Sequence, residues 1–428
     1  MLNRENIFDM MISRKIGNEK KQAKNLKYLL VLIFSSVSFL NPMGILPDSL
    51  CKITFYLCCV VGLIISCRGK QHNRMYYPKN MYVLLLGGMF ISSFMPTLFE
   101  VQTLAETWMT YLPYVFSYVT FILFLKADIS QDRLERIIRI LSVVGTCVYI
   151  LNFISFPNII FGVERDEYDI RTIVRLDIPF LPYIVVNFFM SINKWVADKS
   201  KKEIFWILGS YAMIVLSLTR QYMLWAAVLG VFFVMTKVST FKKVLVSLFL
   251  LFCFYAIVPN IPIFSDLMEL SQEQADKNKY QRDDIRIQAW RYYTIEHQAN
   301  DVTRFFGNGI PAYGKSVWGK KYMFERDMIL GGNGYYTTDV GWAGFYWYFG
   351  IFTLIGLTIL IIKCILQNKN VRIKYVSYSL LFFVLISFTS GPILYKDQIL
   401  ALCFILAMGY KFNFLTKTKI NSYGQNKI

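Results

Sequence analysis

Histidine occurs only twice in the 428 residues, and acidic side chains are outnumbered by basic ones, 28 against 46. Charged residues of all kinds make up 17% of the chain, against 55% hydrophobic and 17% aromatic. That balance, with repeated uninterrupted apolar runs, excludes an ordinary soluble domain. The cysteines, Cys51, Cys58, Cys59, Cys67, Cys147, Cys253, Cys364 and Cys403, all fall inside or at the ends of apolar runs. They read as packing residues rather than a disulfide or metal framework. No internal repeat, low-complexity segment or metal-ligand cluster stands out. The first two dozen or so residues are polar and basic, with no apolar core followed by a small-residue cleavage site, so the expectation is an uncleaved first span. A formal net charge of +18 would suit nucleic acid, but the basic residues come as short clusters between apolar runs. Such clusters fix orientation in a membrane, and nucleic acid is not an expected partner.

Runs long enough, or nearly so, to cross a hydrocarbon core of ~30 Å centre near Ile33, Leu57, Gly88, Phe116, Gly145, Val185, Met213, Ala227, Phe249, Gly356, Phe383 and Leu406. The expected fold is therefore an all-α polytopic membrane protein of about a dozen spans. Lysine and arginine alternate between connections almost without exception, which places both termini on the cytoplasmic side. The reading divides the chain into a cytoplasmic tail (1–25), nine spans (26–260), a large extracytoplasmic loop (261–338), three spans (339–415) and a second tail (416–428). One stretch needs its own argument. Residues 204–235 are interrupted only by Thr219, Arg220 and Gln221, too long for one span and short for two. A single span would reverse every later loop charge, so a hairpin is expected, with the Arg220 turn recessed below the membrane surface.

Two segments on the expected outer side carry arginine against the retention bias. Residues 162–179 hold Arg165, Arg171 and Arg175 beside five carboxylates, which either pair with them or leave room for a bound polyanion. The long loop holds Arg282, Arg286, Arg291, Arg304 and Arg326 among aromatic residues. Residues 283–299 read as a helix with Asp283 and Asp284 at its start, on which Arg286, Trp290, Tyr293 and His297 share one face. That face either binds ligand or rests on the bundle. Glycines at 307, 309, 331, 332 and 334 mark turns.

Three local patterns carry a resemblance: Leu218-Thr219-Arg220-Gln221, Phe305-Phe306-Gly307-Asn308-Gly309, and Thr338-Asp339-Val340-Gly341 leading to Phe349-Gly350-Ile351-Phe352. In this order, with about a dozen spans and one large late loop, the chain resembles the O-antigen and capsular polysaccharide repeat-unit polymerases (Wzy), grouped with the O-antigen ligases. The resemblance implies a GT-C-like helical fold in the bacterial inner membrane. It also implies transfer of a glycan from a polyprenyl diphosphate to a sugar hydroxyl of another lipid-linked repeat. Its implied partners are that lipid-linked oligosaccharide, the bilayer and, as a candidate, a chain-length regulator; no cofactor, metal or nucleotide sugar is implied. One departure stands out. Where ligases and many relatives carry a His-Asn-like pair at the re-entry, this chain has Thr338-Asp339.

In such a transfer, fixed guanidiniums stabilise the charge gathering on the diphosphate, and a carboxylate takes the acceptor proton. Arg220 is the best candidate for the first role, since a charge at membrane depth is functional by default; its bland alternative is a snorkelling end residue. Asp339 is the candidate base, or else an N-cap for the following helix. Arg165, Arg171, Arg175, Arg286, Arg291, Trp290 and Tyr293 are candidate substrate contacts. His297 is also counted with that set, although an incidental polar role suits it better than that of a base. The topology is open to a direct check: a reporter fused between residues 271 and 278 should be extracytoplasmic and one at Lys199 cytoplasmic. Both on one side would rule out this architecture.

Overall fold

The computed structural model describes residues 4–36, 41, 45–68, 77–161, 176, 178–236, 285–325 and 335–424. The expected span near Phe249, the segment with Arg165, Arg171 and Arg175, and His72, Arg282 and Arg326 lie outside the described residues. Within them the chain is all-helical, with no strand. In order come α1 (Arg4–Ser36), α2 (Asp48–Arg68), α3 (Lys79–Ser92), the short α4 (Met95–Phe99), α5 (Leu104–Lys126), α6 (Gln131–Ser155), α7 (Leu181–Asp198), α8 (Lys201–Leu216) and α9 (Arg220–Met235). The loop contributes α10 (Ile285–Arg291), α11 (Asp301–Phe306) and α12 (Val317–Phe324), and the chain closes with α13 (Gly341–Gln367), α14 (Lys374–Ile386) and α15 (Lys396–Gly424). Four stretches, Lys79–Phe99, Leu104–Lys126, Gln131–Ser155 and Gly341–Gln367, are long and apolar enough to cross a membrane. Residues 204–235 form a helical hairpin, because Leu218 takes a positive φ of 50° and ends α8 before α9 begins.

Helices apolar on every side belong in the middle of a bundle. Here α7 is buried continuously from Pro182 to Asn193, and α15 from Ile399 to Tyr410. Around them α7 packs on α6, α8 and α14, while α15 lies along α5. α3 and α13 also approach closely. A Cβ on Gly88 would lie 2.1 Å from the Thr353 hydroxyl, and one on Gly356 would lie 2.9 Å from Leu85 N and Met81 O. Small residues at such a crossing let dispersion replace the hydrophobic drive that is weak between helices in lipid.

Buried ion pairs gather at one end of the bundle. Glu135 of α6, with a side chain 5% exposed, meets Lys194 of α7 at 2.5 Å and accepts from Tyr375 of α14 at 3.1 Å. Arg139 donates to both oxygens of Glu203 at 2.7 Å and lies over the Trp206 ring. These pairs tie α6, α7, α8 and α14 together where removing one partner would strand a charge. The loop helices occupy the other end.

There α13 is interrupted. Gly350 has φ 77° and ψ 175°, so the helix breaks after its first nine residues and resumes at Ile351. The carbonyls beside the break take donors from outside the regular ladder. Asn308 N–H donates to Trp347 O at 2.7 Å and Gly309 N–H to Tyr348 O at 3.1 Å. The Ser92 hydroxyl also donates to Tyr348 O, and the Thr353 hydroxyl to Phe349 O at 2.7 Å. The loop turn thus fills the gap in the helix. A Cβ on Gly350 would lie 2.2 Å from Phe305 O, and one on Gly307 would lie 2.3 Å from Tyr348 O. Gly350→Ala is therefore expected to cost well beyond the ~1–2 kcal/mol of a left-handed backbone alone. Gly314→Ala, at φ 69° with open space around it, should cost only that. Comparing the two in chemical unfolding of the purified protein checks the claim.

Candidate functional site

The loop end of the bundle is built in three layers. The first is the docked loop. After α10 the chain makes a π-turn over Tyr292–Glu296, closed by His297 N–H on Tyr292 O at 2.7 Å. The turn ends the expected helix before Ala299 and swings Tyr293 and His297 onto Trp347 of α13. Tyr293 is fully buried, hydrogen-bonded to the Tyr322 hydroxyl and donating to Tyr335 O at 2.6 Å. Asn308 accepts from Ala299 N–H and donates to Gln298 Oε1, both at 2.9 Å, which fixes the turn that meets the helix break. Gln102, buried between α4 and α5, uses both ends of its amide. Its Oε1 accepts from Ala312 N–H and the Ser316 hydroxyl at 2.8 Å, and its Nε2 donates to Ile310 O and Thr107 at 3.0 Å. A buried amide so satisfied pins the loop to the bundle.

The second layer is a set of phenols beneath the loop. Tyr348 exchanges hydroxyl hydrogen bonds with Tyr313 at 2.9 Å and Thr337 at 2.8 Å. Tyr114 stands against Tyr348 and Phe349, within electrostatic range of Tyr395. The third layer is the 387–395 connection between α14 and α15 together with the first turn of α15, which links the re-entry at Asp339 to the start of α9. Gly341 N–H donates to Ser390 O and Trp342 N–H to Ser387 O, each at 3.0 Å. These carbonyls cap two amides at the start of α13, just after Asp339. A Cβ on Gly391 would lie 2.9 Å from the Thr338 backbone, which shows how closely the re-entry and the connection approach. Beyond it the first turn of α15 reaches the α9 terminus, where the Tyr222 hydroxyl donates to Gln398 Oε1 at 2.9 Å.

Arg220 is half-buried in the first turn of α9, two residues from that tyrosine. Asp339 is exposed in a 3-10 turn, Thr337–Asp339, and the N-cap of α13 is Val340 with no side-chain cap. The connection thus brings the neighbourhoods of both residues to one end of the bundle. It also adds a carboxylate that sequence reasoning passed over: Asp397, half-buried and within electrostatic range of Tyr183 and Tyr222. Its signal was present in the Lys396-Asp397-Gln398 run at the start of the last apolar segment.

The loop-helix candidates divide. Trp290 stacks on Phe388 and donates its Nε1 proton to Phe388 O at 2.9 Å, so with Tyr293 and His297 it seats the loop on the bundle. Arg286 and Arg291 stay exposed, and Arg291 pairs with Glu296 at 2.7 Å. No family model and no curated protein matches this sequence.

His297 carries a pH dependence. Its Nε2 lies 3.5 Å from Glu325, which also meets Lys321 at 3.7 Å, and Glu100 is near both. Burial among aromatic rings lowers the imidazole pKa, Glu325 opposes that shift, and burial prevails. A group held below its unfolded value of about 6.5 contributes stability present above that value and lost as pH falls below it. Acidification from pH 7.5 towards 5.5 should speed proteolysis at Lys320 and Lys321. His297→Gln should flatten that dependence, and identical pH profiles for the two proteins would reject this assignment.

Proposed function

We propose that this chain is a membrane-embedded glycosyltransferase of the O-antigen and capsular polymerase type, with about a dozen spans, the loop on the outer face of the cytoplasmic membrane and both termini inside. Supporting the reading above all is the mutual docking of the sequence patterns. The Phe305–Gly309 turn closes the break at Phe349-Gly350. The same end of the bundle carries the Thr338–Gly341 re-entry and, through the 387–395 connection and the first turn of α15, the start of α9 with Arg220. In the proposed reaction a polyprenyl diphosphate enters from the outer leaflet. Arg220 stabilises the charge left on the diphosphate as the glycosidic bond breaks, and Asp339 or Asp397 takes the proton of the acceptor hydroxyl. The phenols of Tyr114, half-buried, and Tyr395, exposed, supply the flat, hydrogen-bonding surfaces that sugars favour.

The interrupted helix is the one feature that favours a second reading, a lipid-linked oligosaccharide flippase or other transporter, because transporters coordinate ions and substrates with the freed carbonyls of broken helices. Here the Trp347, Tyr348 and Phe349 carbonyls already hold donors from the loop, Ser92 and Thr353. That occupancy favours the enzyme. An O-antigen ligase, the other alternative, is disfavoured by the missing histidine at the re-entry.

Arg220→Lys keeps the charge but loses the bidentate fork, and polymerising activity should fall about 10- to 1,000-fold. Asp339→Asn and Asp397→Asn separate the two candidate bases, since loss of activity is expected in one and near-normal activity in the other. The assay is polymer length made by purified protein from lipid-linked repeats. Long chains from a well-folded Arg220→Ala protein would overturn the assignment.

A further inference from the structure

Beside the loop, on the flank of α13 away from the phenols, lies an open groove of about 650 Å³. It runs between α10, α11, α13 and α14, and its size falls within the ~300–1,000 Å³ of ligand-holding clefts. Its walls are almost wholly apolar, and Arg304 alone among the lining residues is charged. Three aromatic residues, Trp290, Trp342 and Tyr346, stand in its lining, of the kind that gathers where hydrocarbon meets lipid headgroups. From there the groove descends past Ile351 and Leu354 to Thr358. The rim side chains Phe305 and Phe388 are 51% and 49% exposed, so the groove opens sideways through an apolar margin.

We propose that this groove holds one acyl chain of an anionic phospholipid, with the lipid phosphate on Arg304. The site is separate from the proposed transfer and stands whether or not that reading holds. Length favours an acyl chain. Below the break, Ile351 to Thr358 spans about 11 Å at 1.5 Å per residue, within one leaflet, half of a ~30 Å hydrocarbon core, whereas a long isoprenoid would overrun it. Charge favours an anionic headgroup. A guanidinium at headgroup depth gives a phosphate two parallel hydrogen bonds, and its present partner Asp301 is 3.4 Å away in a pair 54% and 88% exposed, which contributes little. The Trp290 and Trp342 rings line the groove, where their fluorescence reports directly on its occupant.

The full chain is reconstituted in phosphatidylcholine nanodiscs containing a rising fraction of either phosphatidylglycerol or phosphatidylcholine with brominated acyl chains. The component of tryptophan fluorescence removed by the Trp290→Phe and Trp342→Phe substitutions is followed as bromine quenches it. Quenching should saturate at about tenfold lower mole fraction for phosphatidylglycerol, the effect of one charge-assisted contact. Arg304→Gln should erase that preference, while Arg286→Gln, an exposed arginine on the same loop, should leave it. Equal saturation by the two lipids, a preference that survives Arg304→Gln, or displacement of brominated phosphatidylglycerol by a smaller fraction of a long polyisoprenyl phosphate would overturn the proposal.

Discussion

The structure depends on how the break in α13 is closed. An unpaired carbonyl in a hydrocarbon setting costs several kcal/mol, so a helix can open at Gly350 only if other donors reach the freed groups. They come from the Asn308 and Gly309 amides and the Ser92 and Thr353 hydroxyls. Two of these donors lie on the loop and two in the bundle. Folding the loop and completing α13 are consequently one event. Glycine at 307 and 350 follows from the same constraint, since the two backbones touch where any side chain would stand.

Coupling of that kind gives the molecule two unlike ends. Where Glu135, Lys194, Arg139 and Glu203 meet, charge is paired and buried, and four helices are held in a fixed register. At the loop end the polar groups are mostly neutral phenols and amides, with Arg220, Asp339 and Asp397 near the surface. Such an arrangement leaves charge near the surface at one end while the other serves as foundation. Gln102 and Asn308 bridge the two regimes by tying loop backbone to helix ends without adding charge.

The all-helical character was legible in the sequence, because apolar run length is a local signal, and among the described residues four of the expected spans are long and apolar enough to cross a membrane. The break at Leu218 falls where the loop charges led a hairpin to be expected. The docking of Gly307-Asn308-Gly309 on Phe349-Gly350 was not legible. Both motifs were visible, but their contact joins segments some forty residues apart, and nothing in either specifies the other. The shared face of Arg286, Trp290, Tyr293 and His297 was half legible: the last three meet the bundle, while Arg286 remains exposed and a π-turn changes the spacing after Arg291. Asp397 was overlooked because its neighbour Tyr222 lies far away in the sequence.

Amide hydrogen exchange of Asn308 and Gly309, resolved to single residues in the full chain held in lipid nanodiscs, tests the central claim most directly. If their protons close the break in α13, both should be protected to the level of Thr353 within that helix. Exchange as fast as at the open turn around Gly314 would contradict it.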